Sequence, residues 1–535
     1  MIRPWHINYP KGVQKHVSIP NCSLFSILNE AYEKSPNNTA VIDGADRWNY
    51  KTLYEKVAAL ADSLSNKGFK QGDKMLISLF NSKEYITCYF AVQRLGGIVV
   101  QANPLYTSSE LNNLIIDSEA TWVVASTNQQ EKIEKAITNS HVEQIFVKAK
   151  SSPTASSFEE LIKEGLPYQA PKPTINPKED IAVLQYTGGT TGKSKGVMLT
   201  HQNIYSNIYQ NYHFTVKEMD KKDEKILGVA PFYHVYGMTA VLLLAMFRRT
   251  AVICVSRFEP KSLLDLIRKE RPTLFSGVPT MYVSLLRHPE ATEEAMQSLK
   301  LCMAGSAPLP IEIIEEFERK TGAQILEGYG LSETSPTTHR NPTMGIRKVG
   351  SIGIPVPNTD CLIVDQAEGI EALPNGEVGE LLIKGPQVMK GYWRNEKETN
   401  RTLKNGWLYT GDLARMDEDG YFYIVGRKKE LIIASGYNIY PVEVEQVFYE
   451  HPAINEAVVF GVPDPYRGET IYAAVVLKKG ESVTQEELKV FLKKRLSVFK
   501  VPAYIEFRSE LPKTSVGKIL RRELQKEIKN LNNTK

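Results

Sequence analysis

Residues 181–200 have the sequence IAVLQYTGGTTGKSKGVMLT, in which two apolar flanks enclose a run of glycines, hydroxyl residues and two lysines. Glycine reaches backbone conformations closed to other residues, so several N–H groups can approach one anion. Hydroxyl groups and lysines add donors and positive charge. The stretch therefore predicts a phosphate-binding loop between two strands.

Two other interpretations compete for this loop. A P-loop has four residues between its first glycine and its Gly-Lys pair, whereas three separate Gly188 from Gly192 here. A P-loop also opens a helix, but residues 197–200 (VMLT) have the pattern of a strand. A flexible Gly/Ser/Thr linker is the other alternative, which the two lysines and the closely flanking strands disfavour. A hairpin over phosphates fits best.

Length and charge restrict the class of protein. A chain of 535 residues, 42% hydrophobic, predicts two or more domains with sizeable cores. With 65 basic and 61 acidic residues the formal net charge is only +4, which disfavours nucleic acid as a partner. The five cysteines are scattered, without a C-x-x-C pair, so neither disulfides nor a zinc site is expected: Cys22, Cys88, Cys254, Cys302 and Cys361.

The same features predict a cytoplasmic protein. No apolar stretch typical of a secretory signal follows the N-terminus. The most apolar run, residues 238–247 (MTAVLLLAMF), is about half as long as a membrane helix and is expected to be a buried helix. Peripheral contact with a membrane and a homodimer both stay open.

The order of apolar segments predicts the fold class. Short apolar strands alternate with amphipathic helices through most of the chain, which indicates an α/β fold with parallel sheets flanked by helices. Residues 149–178, rich in Pro, Ser and charge, are expected to form a surface connection. Short strands separated by Asn-Gly and Asp-Gly turns predict a distorted antiparallel barrel over about 350–425.

A change in composition predicts a domain boundary. Residues 426–430 (GRKKE) are polar and charged, and two helices and two strands are expected after them. We place the boundary at residues 427–429. The chain then divides into a large N-terminal domain, 1–426, and a small α+β C-terminal domain, 427–535, of a size usual for an independent unit.

Six segments of the chain together resemble one enzyme superfamily. They are 187–196 (TGGTTGKSKG), 231–237 (PFYHVYG), 327–334 (EGYGLSET), 407–412 (WLYTGD), 435–441 (SGYNIYP) and 511–520 (LPKTSVGKIL). In this order they resemble the motif series of the adenylate-forming (AMP-binding) superfamily. The resemblance is closest to the long-chain fatty acyl-CoA synthetases, and it extends to residues 97–106 (GIVVQANPLY).

The resemblance implies roles for individual residues. Those expected to hold the ATP phosphates are Thr187, Gly188, Gly189, Thr190, Thr191, Gly192 and Lys193. Those expected to border the adenine are Gly305, Ser306, Ala307, Glu327, Gly328, Tyr329 and Gly330, with Tyr329 stacked on the base. Thr334 is expected at the α-phosphate, and Asp412 and Arg427 at the ribose.

The same resemblance implies catalytic residues, metal ligands and a hinge. Glu333 and Thr187 are expected to ligate Mg²⁺, and a carboxylate beside phosphates suits that ion. His234 is expected near the α-phosphate or the acyl carboxylate. Lys518, with His234, Thr187 and Glu333, makes up the expected catalytic set. Lys429 corresponds to the hinge, and Gly436 to the passage for the pantetheine arm of coenzyme A.

Some of these residues have ordinary explanations when taken singly. A histidine among aromatics is commonly a core residue, and an aspartate after glycine is commonly a turn residue. Lysines near Arg521 and Arg522 usually form a solvated basic face, and this is the interpretation kept for Lys513. The glycine-rich segment 327–334 could be a turn before a capped helix, although this leaves Tyr329 between two glycines unexplained.

The implied reaction belongs to fatty acid metabolism. A medium- to long-chain carboxylate attacks ATP to form acyl-AMP and pyrophosphate, and coenzyme A then takes the acyl group and releases AMP. Lys193, Lys518 and Mg²⁺ are expected to offset charge in the first step. The smaller domain is expected to rotate about Lys429 between the two steps.

Other functions stay open. The enzyme could instead be an aryl-CoA ligase of the 4-coumarate type. It could also use the adenylate to load a carrier protein, or oxidise it as luciferase does. No Gly-Gly-x-Ser carrier attachment site follows the C-terminal domain, and no aspartate follows Phe232, so carrier loading and amino-acid activation are disfavoured. An inactive nucleotide-binding scaffold is disfavoured by Glu333, Asp412 and Lys518.

Overall fold

The structure is a computed structural model. It describes residues 3–138, 140, 142, 144–147, 156–166, 169–187, 194–215, 224–307, 309–365, 369, 371–514 and 517–533. The predicted phosphate-loop residues 188–193 lie outside the described residues.

The strands alternate with helices through the first two thirds of the chain, as the sequence predicts. In chain order the strands are β1 (Thr39–Asp43), β2 (Asp46–Asn49), β3 (Lys74–Ser78), β4 (Ile98–Gln101), β5 (Trp122–Ala125), β6 (Gln144–Val147), β7 (Ser156–Ser157), β8 (Ile181–Thr187), β9 (Lys195–Thr200), β10 (Lys225–Gly228), β11 (Ala251–Cys254), β12 (Leu274–Gly277), β13 (Leu301–Ala304), β14 (Gln324–Gly330), β15 (Thr337–Arg340), β16 (Ile354–Pro355), β17 (Asp360–Val364), β18 (Gly379–Lys384), β19 (Gly391–Tyr392), β20 (Leu403–Lys404), β21 (Trp407–Met416), β22 (Phe422–Arg427), β23 (Ile432–Ala434), β24 (Tyr437–Ile439), β25 (Ile454–Asp464), β26 (Gly468–Leu477) and β27 (Tyr504–Phe507).

The helices begin at residues suited to cap them. Thr107, Thr200 and Thr484 each accept a hydrogen bond from the backbone N–H three residues on, inside a capping box. In chain order the helices are α1 (Phe25–Lys34), α2 (Tyr50–Asn66), α3 (Lys83–Arg94), α4 (Ser108–Ser118), α5 (Gln130–Ala136), α6 (Phe158–Glu164), α7 (His201–Phe214), α8 (Leu244–Arg248), α9 (Pro260–Glu270), α10 (Pro279–Arg287), α11 (Glu293–Met296), α12 (Ile311–Thr321), α13 (Glu396–Thr402), α14 (Pro441–Tyr449), α15 (Gln485–Lys493) and α16 (Arg521–Asn533).

Two large sheets, each mostly parallel, form the body of the molecule. One has nine strands in the order β16-β15-β14-β13-β12-β10-β11-β1-β2, and the other has eight in the order β19-β9-β8-β4-β3-β5-β6-β7. The neighbours from β1 to β14 in the first sheet are all parallel. Helices separate these strands along the chain, so the α/β class is confirmed.

The two strands around the phosphate loop form the predicted hairpin. β8 and β9 pair antiparallel, from Ile181 opposite Thr200 to Thr187 opposite Lys195. No helix follows the loop directly, so the P-loop interpretation is excluded. Gly196 lies against the ring of Tyr186, where an added Cβ would be 3.0 Å from the ring.

The predicted antiparallel segment is present. β17, β18, β21 and β20 form one sheet, and β22 pairs with β21. Trp5, near the N-terminus, packs edge-on against Phe422 in the apolar cluster beneath this sheet. The N-terminal segment thereby closes one side of the antiparallel sheet.

The residues after 430 form their own sheet and core. β24, β23, β26 and β25 are adjacent in that order, and β27 joins β26 in parallel. Two hydrophobic clusters lie here, one built from Ile432 to Ile505 and the other from Val458 to Ile528. The helices α14 and α15 and the strands β25 and β26 fall where the sequence predicts them.

Two predictions about single segments need correction. The segment 149–178 is not only a connection, because it contains α6, whose Phe158 and Leu161 are buried. The run 238–247 is buried as predicted, but it begins in a π-helix, Tyr236–Leu243, which continues into α8. Among the described residues, no helix has both the length and the apolar character needed to cross a membrane.

Candidate active site

One cleft of about 990 Å³ lies at the carboxyl ends of β13 and β14, between the large sheets and the residues after 426. Ligands of open α/β sheets bind at this edge. Most of the predicted site residues that the structure describes line the cleft: Thr187, His234, Gly305, Ser306, Gly328, Tyr329, Gly330, Glu333, Asp412, Arg427, Lys429 and Lys518.

Four predicted residues do not line the cleft. Thr334 is fully buried; its hydroxyl donates to the Pro336 carbonyl and accepts from the Leu331 N–H at 3.0 Å. Glu327 accepts from the Gly350 N–H at 2.7 Å, and burial raises its pKa to about 7. Ala307 lies just beyond the lining residues, and Gly436 forms the turn between β23 and β24. Their roles stay predictions.

Asp412 is held by two neighbours at the side of the cleft. The Tyr329 hydroxyl donates to its Oδ2 at 2.5 Å, and Arg427 Nε lies 3.1 Å from Oδ1. The pairing of β21 with β22 sets Asp412 opposite Arg427. Burial and the nearby Asp412 carboxylate raise the pKa of Tyr329 well above its usual value, so the tyrosine remains a donor. A fixed carboxylate with free lone pairs suits the hydroxyls of a sugar.

Glycines form part of the cleft wall next to Tyr329. An added Cβ at Gly330 would be 2.0 Å from the Pro336 carbonyl oxygen, so only glycine fits. At Gly305 an added Cβ would be 3.3 Å from the Tyr236 ring. The chain therefore packs closely at Gly330 and Gly305, two positions in the wall of the cleft.

Glu333 is the carboxylate that could hold a cation. The Tyr392 hydroxyl donates to its Oε1 at 2.8 Å, and the Met389 N–H donates to its backbone carbonyl at 2.9 Å. No group of three or more His, Cys, Asp or Glu side chains that could bind a metal occurs within the described ranges. A single held carboxylate fits Mg²⁺, which takes one or two carboxylates and completes its shell from phosphate oxygens and water.

His234 lies two residues before the π-helix Tyr236–Leu243, and π-helical turns are frequent at functional sites. The side chain is partly buried and packs against the ring of Tyr233. Burial lowers its pKa to about 4, so the ring is neutral at pH 7. A neutral imidazole can donate one hydrogen bond toward the cleft without adding charge.

Lys518 reaches the cleft from the residues after 426. Desolvation and the nearby Arg427 lower its pKa to about 8, while Glu430 and Asp412 oppose that shift. Its backbone N–H donates to Thr514 Oγ1 at 3.1 Å, and its carbonyl accepts from the Thr514 N–H at 2.8 Å. A short turn therefore positions this amine.

The turn that carries Lys518 lies directly against α10. Gly517 has φ +75°, and an added Cβ would be 2.1 Å from Thr280 Oγ1. Left-handed backbone of this kind favours glycine. Glycine at 517 is therefore needed both for the turn and for the close approach of the two parts of the chain.

Ion pairs surround Lys429 at the predicted hinge. Lys428 Nζ lies 3.1 Å from Glu380 in β18, and Arg521 in α16 pairs with Glu430 and Glu445. Burial, together with Arg427 and Arg522, lowers the pKa of Lys429 to about 8. The segment around Lys429 is thus tied on one side to the antiparallel sheet and on the other to the C-terminal helix.

The sequence reasoning missed several lining residues. Tyr392 orients Glu333, and Glu398 pairs with Lys195 at the base of the phosphate hairpin. Arg340, at the end of β15, is a buried arginine at the cleft wall. Tyr392 and Glu398 lie outside the six motifs. The sequence does contain a clue to Arg340, because a charged residue is unusual in a short strand whose other residues, as in β15, are uncharged.

Known proteins resemble this chain over nearly its whole length. It is 44% identical to the long-chain-fatty-acid–CoA ligase of Bacillus subtilis, with 98% of each chain covered. It is 35% identical to the long-chain-fatty-acid–CoA ligase of Escherichia coli O6:H1, with 99% of each covered. ATP-bound MatB from Rhodopseudomonas palustris superposes with a TM-score of 0.87 at 32% identity, covering 96% of this chain and all of MatB. The apo form of MatB gives 0.77.

Family models match both parts of the chain. The model described as AMP-binding enzyme matches residues 28–393, and the one described as AMP-binding enzyme C-terminal domain matches residues 443–518. The first match alone covers more than half of the chain, and the resemblance drawn from the six motifs is confirmed. The chain belongs to the AMP-binding enzyme family.

Proposed function

We propose that this enzyme activates a medium- to long-chain fatty acid with ATP and transfers the acyl group to coenzyme A. The observation that carries the proposal is the cleft itself, in which Tyr329, Glu333, Asp412 and Lys518 converge from distant parts of the chain. The two fatty-acid–CoA ligases, similar over nearly the full length, support fatty acids as the substrate class.

Asp412 and Arg427 bind the ribose of ATP, and the adenine lies beside the ring of Tyr329. The fixed orientation of the Asp412 carboxylate supports this placement. The phosphates extend toward Thr187 at the end of β8, where residues 188–193 are proposed to wrap them. Glu333, with Thr187 nearby, would hold Mg²⁺, which would neutralise charge on the phosphates when bound.

In the first half-reaction a carboxylate oxygen of the acid attacks the α-phosphorus of ATP. The bond from that phosphorus to the bridging oxygen breaks, and pyrophosphate leaves with the electron pair. Lys518, as an ammonium, stabilises the negative charge that develops on the oxygens involved, and Lys193 is proposed to act on the departing phosphates. His234 donates a hydrogen bond that orients the carboxylate.

In the second half-reaction the thiolate of coenzyme A attacks the acyl carbon, and AMP leaves. We assign this step to another arrangement of residues 427–535 relative to residues 1–426, reached by rotation at Lys429. Lys518 lines the cleft here whereas Gly436 does not, which supports the present arrangement as the adenylating one. The higher TM-score to the ATP-bound form of MatB than to its apo form agrees with this assignment.

Apolar side chains favour an acyl chain beyond the nucleotide. Ala240, Leu244, Val278 and Met303 line the same cleft as His234. An aryl-CoA ligase of the 4-coumarate type is the second candidate, because a ring would also fit among such side chains.

Purified protein should be supplied with ATP, Mg²⁺, coenzyme A and a panel of acids from acetate to oleate plus 4-coumarate. We expect AMP and acyl-CoA to form fastest with acids of medium or long chain. Activity confined to 4-coumarate would favour the second candidate, and no AMP with any acid would contradict both.

A further inference from the structure

Tyr392 joins the phosphate hairpin to the wall of the cleft. It is the last residue of β19 and pairs opposite Val197 in β9, the second strand of the hairpin. The next residue, Trp393, donates its N–H to the Gly196 carbonyl at 2.7 Å. Tyr392 is only 5% exposed and lines the cleft. Backbone pairing therefore fixes this side chain relative to the hairpin.

The hydroxyl of Tyr392 holds one oxygen of the Glu333 carboxylate. It donates to Glu333 Oε1 at 2.8 Å. Burial and the nearby Glu333 carboxylate raise the pKa of Tyr392 well above its usual value, so the phenol keeps its proton and stays a donor. A carboxylate has about four lone-pair sites, so this bond fixes the plane of the group and leaves it able to bind a cation.

The ring of Tyr392 faces a positive charge. Lys195 Nζ lies 5.2 Å from the ring centroid, and the same ammonium pairs with Glu398 in α13. The Tyr392 N–H donates to Thr399 Oγ1, also in α13, at 2.9 Å. Glu398 thus offsets the charge of Lys195, whereas Glu333 is held by a neutral donor. A neutral donor orients Glu333 without cancelling its negative charge, as a site for a cation requires.

We infer that Tyr392 is a positioning residue for Mg²⁺, acting through Glu333 on the affinity for the metal. The inference rests on the proposed function, in which Glu333 would hold Mg²⁺ beside the phosphates of ATP. Mg²⁺ demands near-ideal octahedral geometry, so a ligand that is free to rotate binds it more weakly. Partners that orient metal ligands typically contribute roughly 10- to 100-fold to metal affinity. The hydroxyl of Tyr392 therefore increases the gain in ATP affinity that Mg²⁺ provides.

A binding cycle separates this role from a structural one. The dissociation constant of α,β-methylene-ATP, an analogue that cannot be cleaved between its α- and β-phosphates, is measured by calorimetry in excess Mg²⁺ and again in excess EDTA. The ratio of the two constants is the gain in affinity due to Mg²⁺. In Tyr392→Phe we expect this gain to fall about tenfold. The affinity in EDTA should change little, which also shows that the variant is folded.

A second tyrosine provides the matched control. Tyr472 is half-buried and also donates to a carboxylate, that of Glu506, at 3.0 Å, but it lies outside the cleft. Tyr472→Phe therefore removes the same kind of hydrogen bond elsewhere in the chain. It should keep the wild-type gain in affinity.

Dependence on Glu333 is the second readout. In the Glu333→Gln background, which removes the charge that Tyr392 orients, Tyr392→Phe should not lower the gain further. Three results would overturn the inference and leave the proposed function intact: equal losses of affinity in Mg²⁺ and in EDTA, an unchanged gain in Tyr392→Phe, or a further loss in the Glu333→Gln background. Wild-type enzyme that binds the analogue in neither condition would contradict the proposed function instead.

Discussion

Substituting alanine for Gly517 is expected to impair one half-reaction selectively. The added Cβ would lie 2.1 Å from Thr280 Oγ1 and 3.2 Å from its Cβ and Cγ2, so the Lys518 turn can no longer rest on α10 as it does here. Overpacking of this kind costs about 1–3 kcal/mol, which corresponds to roughly 5- to 150-fold in rate. The φ of +75° adds about 1–2 kcal/mol of backbone strain if the turn keeps its conformation.

Under the proposed rotation, Gly517 contacts Thr280 only in the arrangement in which Lys518 lines the cleft. Gly517→Ala should therefore slow pyrophosphate release from ATP and acid by roughly 5- to 150-fold. Conversion of supplied acyl-AMP to acyl-CoA should change by only a few-fold, because that step is assigned to the other arrangement.

A second substitution at the contact provides the control. Thr280→Gly removes all three atoms that the new Cβ would meet. Adding it to Gly517→Ala should recover much of the lost adenylation relative to Thr280→Gly alone. Equal losses in both half-reactions, or no recovery in the double variant, would refute the argument that Gly517 is required for docking.

Two further predictions concern the lysines of the cleft. Lys429→Pro should reverse the pattern of Gly517→Ala, because a fixed φ at the predicted hinge hinders rotation. Thioester formation from acyl-AMP should fall far more than pyrophosphate release. Unchanged thioester formation would argue against the hinge. The pKa of Lys518 is lowered to about 8, so its ammonium form is lost as the pH rises through that value. The rate of adenylation by the wild-type enzyme should decline above about pH 8. Lys518→Arg should flatten this decline, because arginine stays charged at that pH. Lys429→Arg should leave the decline unchanged. A wild-type profile that is flat from pH 7 to 9.5 would contradict the assignment.

Local patterns in the sequence were enough to predict the elements that carry the site. The hairpin of β8 and β9 was recognisable because apolar runs of strand length flank a glycine-rich turn. The same holds for β14, where an apolar run leads into Gly328, Tyr329 and Gly330. Each of these features is contained within about twenty residues.

Pairings between distant segments could not be predicted in the same way. β1 joins the nine-stranded sheet beside β11, about two hundred residues further along the chain, and Trp5 packs against Phe422. Such contacts depend on how whole sheets and helices pack together, which the local periodicity of apolar residues does not reveal. The π-helical turn at Tyr236 was missed for a related reason, since its apolar residues are equally compatible with an α-helix.

The missed site residues have the same explanation. Tyr392 and Glu398 come from short, mostly polar segments, and their relevance appears only when β19 pairs with β9 and brings Tyr392 to Glu333. Arg340 lies a few residues beyond a recognised motif, and its burial and its hydrogen bond to Thr215 are properties of the folded chain alone.

The central claim is that Lys518, reaching in from the C-terminal part, completes the site for adenylation. Its most direct test is to measure both half-reactions separately in Lys518→Ala, using a fatty acid that the wild-type enzyme accepts. We expect pyrophosphate release to fall by roughly 100- to 1,000-fold, the loss typical of removing one group that stabilises charge in a transition state. Acyl-CoA formation from supplied acyl-AMP should stay within a few-fold of wild type. Equal losses in the two half-reactions, or none in the first, would contradict the account.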